Sequence, residues 1–163
     1  RAGCQFGDVA GCTNGAIVDL QGNPPPELRT RALKALDDAC DREHMLACDI
    51  LAGETVSTAQ SQAELSQAIS LFRKACQGRY PPACVHLADF YFDGIGVARD
   101  MVQATTLYRK ACEAKEPKGC LSLGQMVQRR LAQPRPSQSV TELFQMACKL
   151  GLNEACRPSS PSR

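Results

Sequence analysis

Ten cysteines stand in one register along the 163-residue chain. The first members of five C-x7-C pairs are Cys4, Cys40, Cys76, Cys112 and Cys148, each 36 residues beyond the last. The second members, Cys12, Cys48, Cys84, Cys120 and Cys156, keep the same step. No insertion breaks the ruler, so the chain is an internal repeat from end to end. Other columns follow it. Gly3, Ala39, Ala75, Ala111 and Ala147 precede the first cysteines, and Gly11, Ala47, Ala83, Gly119 and Ala155 precede the second. Leu36, Phe72, Tyr108 and Phe144 stand four residues ahead of a first cysteine. Leu51, Leu87 and Leu123 stand three past a second one, with a departure at Gly15. Small and large apolar residues at fixed phases of such a period describe stacked helical hairpins.

Each period divides into two helices. Residues 98–112 carry Ala104, Leu107, Tyr108 and Ala111 three and four apart, the spacing of one helix face, and form a B helix. The segment from about Pro81 to Phe92 places Ala83, Leu87, Ala88 and Tyr91 on one side and forms an A helix with Tyr91 in its core. Ser61 with Glu64, Ser139 with Glu142, and Asp100 with Gln103 have capping-box spacing. Pro24, Pro25 and Pro26 suit a loop and a first helical turn. Gly94 and Gly96 allow the positive φ that a tight A-to-B turn requires.

In this frame each first cysteine closes a B helix, and each second cysteine lies in the first turns of the next A helix. A linker of three or four residues makes the two helices antiparallel neighbours, within reach of a disulfide. Local pairing, first with second, is therefore expected in every repeat. Each bond closes a loop of about nine residues, worth roughly 2.5 kcal/mol by chain entropy. Metal binding is the rival reading. Two thiolates per repeat leave a four-ligand zinc site incomplete, and His44 and His86 fall at different phases. No metal site and no cofactor is expected.

Aromatic residues make up 5% of the chain and Trp is absent, so alanine carries much of the packing. The net charge of +2 and the lack of long basic runs give no reason to expect nucleic acid or an anionic membrane as partner. No apolar run approaches the ~20 residues of a transmembrane helix. Residues 1–156 read as an all-α solenoid of about four units, and residues 157–163 as a polar, flexible tail. The array is expected to be incomplete at its N-terminus, because Cys4 lacks the B helix that precedes every other first cysteine.

The stretch ACVHLADFYFDGIGVARDMVQATTLYRKA, residues 83–111, resembles the Sel-like repeat, a relative of the tetratricopeptide repeat. The resemblance is carried by Ala83, Leu87, Ala88, Tyr91, Gly94, Gly96, Val97, Asp100, Ala104, Tyr108 and Ala111. With the C-x7-C pairs it narrows to the cysteine-rich branch, which includes the Helicobacter cysteine-rich proteins. A mitochondrial intermembrane-space assembly factor for cytochrome oxidase looks similar as well. Only residues 83–111 hold the full G-x-G-V-x-x-D turn, while 58–64 and 130–136 depart from it and are expected to differ in shape.

The resemblance implies a right-handed superhelix whose A helices line the concave side. It also implies an exported adaptor, periplasmic or secreted, that binds a protein or peptide. The mitochondrial intermembrane space is the alternative compartment. The contact set expected on A helices is Asp49, His86, Asp89, Phe90, Asp93, Gln125 and Arg129. Some cysteine-rich members act on β-lactams, which makes a β-lactam- or cell-wall-peptide-binding hydrolase the second reading. Acyl transfer needs a nucleophile beside a base, as in S-x-x-K. The nearest match here is Ser70-Leu-Phe-Arg73, whose permanently charged arginine cannot act as a base, so no catalytic residue is assigned. The open ends of such an array leave the oligomeric state undetermined.

If all ten cysteines are paired, the native intact mass falls below that of the reduced chain by about 10 Da, two hydrogens per bond. A smaller deficit would reveal free thiols.

Overall fold

The computed structural model describes residues 8–134 and 138–157. The chain divides into two units, Arg1–Tyr80 and Pro81–Arg163. The first holds α1 (Val9–Asp19), α2 (Pro26–Asp41), α3 (Met45–Thr58) and α4 (Gln62–Gln77). The second holds α5 (Pro81–Asp93), α6 (Met101–Glu113), α7 (Pro117–Gln128), α8 (Val140–Lys149) and a 3-10 turn, Asn153–Cys156. No strand occurs among the described residues. Odd-numbered helices are A helices and even-numbered ones B helices. Among the described residues the A position after Cys148 holds the 3-10 turn.

The helix starts follow the local chemistry. Pro26 opens α2, where its missing N–H has no bond to lose. Reciprocal capping boxes join Ser61 to Glu64 and Ser139 to Glu142. The Asp100 carboxylate accepts from the amides of Val102 and Gln103, so α6 is capped by the acid alone.

The B-to-A turn is the recurring element. After α2, the amide of Glu43 donates to the Cys40 carbonyl and that of His44 to the Ala39 carbonyl, both at 3.0 Å. Arg79 and Tyr80, Lys115 and Glu116, and Gly151 and Leu152 repeat this pattern on the carbonyls of the corresponding cysteine and alanine. This is a Schellman turn. It needs a left-handed residue, and Glu43, Arg79 and Lys115 take φ of 61°, 66° and 64°, where Gly151 takes 96°. Three side-chain-bearing residues thus occupy a glycine conformation, so composition gave no warning of the motif.

Disulfides lock these turns. Cys40–Cys48, Cys112–Cys120 and Cys148–Cys156 are bonded, with Cα atoms 4.7, 4.4 and 4.8 Å apart. Cys12, Cys76 and Cys84 are disulfide-bonded too. Cys4 lies outside the described residues, as does most of the expected tail.

Within each unit the alanine columns lie where antiparallel B and A helices meet. Ala39, Ala75, Ala111 and Ala147 are buried, as are Ala47, Ala83 and Ala155. At Gly119 an added Cβ would stand 2.6 Å from the Ala111 Cβ, beside a bond whose cysteine Cα atoms are 4.4 Å apart. Leu36, Phe72, Tyr108 and Phe144 are buried beneath them. Two expectations change: Leu51 and Tyr91 are only half-buried. Tyr91 stands near the C-terminal end of α5, where the helix gives way to the turn.

The A-to-B turns differ in part. Gly94 and Gly96 have φ of 73° and 72°, as their positions require. Arg130, one period after Gly94, takes φ 59° and so begins its turn in the same hand. At the corresponding Thr58 the chain is still helical. Residues 135–137 of the third turn lie outside the described residues.

Left-handed φ costs a non-glycine residue roughly 1 kcal/mol. Lys115→Gly should therefore stabilise the protein by about 0.5 kcal/mol, read as a higher urea midpoint with an unchanged m-value.

Candidate functional site

Tyr108 sets the site. Its column elsewhere holds Leu36, Phe72 and Phe144, which bring no polar atom. The Tyr108 hydroxyl is carried into the same packed position and needs a partner there. It donates to Asp89 Oδ1 at 2.5 Å, from α6 to α5. Burial, then the hydrogen bond and charge of Asp89, push the Tyr108 phenol well above its ordinary pKa. Asp89 is exposed as a residue, but its carboxyl group, bonded to the Tyr108 hydroxyl, is partly withdrawn from water. That loss of water raises its pKa, against the lowering effects of the Tyr108 hydroxyl and of His86.

Around this pair lies a cavity of about 230 Å³ in the second unit. Asp89 and Asp93 line it from α5, Gln125 from α7 and Arg129 from the C-cap of α7. Asp89 and Gln125 occupy one repeat phase, Asp93 and Arg129 another. Phe92, Tyr108, Ser122, Met126 and Leu131 complete the lining. Phe92 is held from outside by Arg99, whose guanidinium carbon lies 5.8 Å from the ring centroid and whose Nε donates to the Phe92 carbonyl.

Four of the seven expected contact residues thus meet at one cavity. The other three do not. Asp49 is buried, only 6% exposed, so it is not a surface contact. Its phase falls on the packed side of α3, with Cys48 and Ala52. Phe90 is half-buried and sits about 100° around α5 from Asp89. His86 lies one turn nearer the start of α5 and reaches the site through its charge on Asp89. Sequence reasoning missed Phe92, Tyr108 and Ser122 as site residues. The hydroxyl at an otherwise hydrocarbon column was the available signal.

Other features carry less chemistry. The Ser70 hydroxyl donates to the Gln67 carbonyl of its own helix at 2.7 Å, with no base beside it. His44 is a packing histidine. The Thr13 hydroxyl donates to Val9, which leaves it to accept from His44 Nδ1 at 3.1 Å. Among the described residues no cluster of His, Cys, Asp or Glu could hold a metal, and no helix is long and apolar enough to cross a membrane. A wider groove, about 670 Å³, runs between α1 and α2 and is lined chiefly by small residues, with Asp19 and Arg31 paired at its edge.

An unfolded tyrosine ionises near pH 10. Tyr108 keeps its proton above that point, so its contribution to stability is intact below pH ~10 and is lost as pH rises further. In alkaline titration followed at 295 nm, Tyr108→Phe should leave the rise near pH 10 unchanged. It should remove one tyrosinate from the step that accompanies alkaline unfolding.

The Sel1 repeat model matches residues 61–80 and 81–115, which include the unit with the complete glycine turn. Helicobacter pylori cysteine rich protein B is 30% identical over 76% of this chain and 94% of its own length, with a TM-score of 0.58. A protective antigen of uropathogenic Escherichia coli displaying an SLR fold superposes with a TM-score of 0.78 at 22% identity, covering 91% of this chain. A Sel1 repeat protein from Oxalobacter formigenes gives 0.75 at 20% identity over 90% of this chain. The chain spans 32% and 59% of the lengths of these last two. No curated protein matches the sequence. The cysteine register, the repeat match and the extended likeness to the Helicobacter protein together show that this chain belongs to the Sel1 repeat family, in its cysteine-rich branch, whose scaffold is typical of protein–protein interaction.

Proposed function

We propose that the protein is an exported adaptor that docks a protein or peptide partner on the A-helix face of its second unit. The carrying observation is the cavity between α5 and α7. Asp93, Gln125 and Arg129 line it, and their side chains form no hydrogen bond or ion pair among the described residues. A surface held rigid by disulfides, with polar groups left unspent around an apolar floor, suits recognition of another chain. The disulfides and the cysteine-rich relative fit an oxidising compartment. We place the protein in the periplasm or outside the cell. The intermembrane space of mitochondria offers the same redox chemistry. Hydrolysis of β-lactams has no comparable support: the Ser139 hydroxyl that donates to the Glu142 carboxylate belongs to the cap of α8, and Ser70 bonds a carbonyl of its own helix.

Selection of a random peptide library against the native protein tests the docking face. Gln125→Trp fills the cavity from an exposed position and should leave folding intact. Enriched peptides should bind the native chain and lose at least tenfold in affinity against Gln125→Trp. Equal binding to both would place the contact elsewhere.

A further inference from the structure

The two walls of the cavity carry opposite charges. Asp89 and Asp93 stand on α5 one helical turn apart, and Arg129 caps the C-terminal end of α7. Asp93 and Arg129 line the same space yet form no ion pair within 4.0 Å among the described residues. One oxygen of Asp89 is engaged by Tyr108, which holds the acidic wall in place. Phe92 offers an apolar surface beside that wall. Opposite charges that flank a cavity without closing on each other are arranged for a ligand that carries both signs.

Resting on the docking reading above, we infer that the cavity recognises an extended peptide in which a Lys or Arg and an Asp or Glu are separated by one residue. The cationic side chain enters between Asp89 and Asp93, and the acidic one meets Arg129. The spacing follows from size. A space of about 230 Å³ is roughly 6 to 8 Å across, and residues two apart on a strand project to the same side about 6.6 Å from each other. Adjacent residues project to opposite sides and cannot both enter.

The test uses fluorescein-labelled pentapeptides and the native protein, read by anisotropy. The probes are acetyl-Ala-Lys-Ala-Glu-Ala-amide, its norleucine-for-lysine and glutamine-for-glutamate forms, and acetyl-Ala-Ala-Lys-Glu-Ala-amide. The first should bind at least fivefold more tightly than the other three, and its Kd should rise several-fold between low and high salt. Asp93→Asn should remove the advantage of lysine but not that of glutamate, and Arg129→Gln the reverse, so each pair couples in a double-mutant cycle. Equal binding of all four probes, still lost in Gln125→Trp, overturns the charge reading and leaves the docking face standing. No binding of any probe by the native protein, with library-selected peptides that also ignore Gln125→Trp, overturns both.

Discussion

Everything in this fold depends on a three-residue turn that reverses the chain between a B helix and the following A helix. The turn does two things at once. Its Schellman bonds satisfy the last carbonyls of the B helix, including that of the first cysteine. Its reversal then brings the second cysteine back over the first, within disulfide reach. The bond in return holds a left-handed residue that would otherwise prefer another conformation. Glu43 and Lys115 keep positive φ without glycine because the covalent clamp and the helix pairing leave the chain no alternative.

The alanine columns follow from that clamp. Helices joined by so short a turn and so short a crosslink must run close together, and only small residues fit between them. Gly119 marks the limit, since even a methyl group there would collide with Ala111. Bulk is therefore displaced to the column of Leu36, Phe72, Tyr108 and Phe144, which fills the space beneath the paired helices. A chain poor in aromatics places three of its eight rings in this column. Tyr108 is the member that brings a hydroxyl, and its need for an acceptor fixes Asp89.

The candidate site is thus a by-product of packing that has acquired charge. The floor is built from core residues, while the rim comes from positions on α5 and α7 that stacking does not use. Repetition aligns such positions: Asp89 with Gln125, and Asp93 with Arg129. In a repeat scaffold, contact residues vary while the frame stays constant, because each side chain on the rim is free of the helix-pairing contacts. Such a division of labour suits the interaction role typical of the Sel1 repeat scaffold.

Much of this was legible in the residues alone. The cysteine register determined the period, the pairing, the helix polarity and the positions of the alanine columns, because a covalent crosslink and a short linker admit few geometries. Ser61, Ser139 and Asp100 marked their helix starts because capping is local chemistry. The tertiary structure alone decided which exposed positions meet. Phase alone put Asp49 among the contact residues, yet Asp49 and its counterpart Val85 are both buried. Nor could it show that Phe92 and Ser122 join the rim, or that Tyr108 and Asp89 are bonded. Those facts depend on how three helices are rotated about their axes, and rotation is set by the sum of many small packing contacts that no single column of the repeat records.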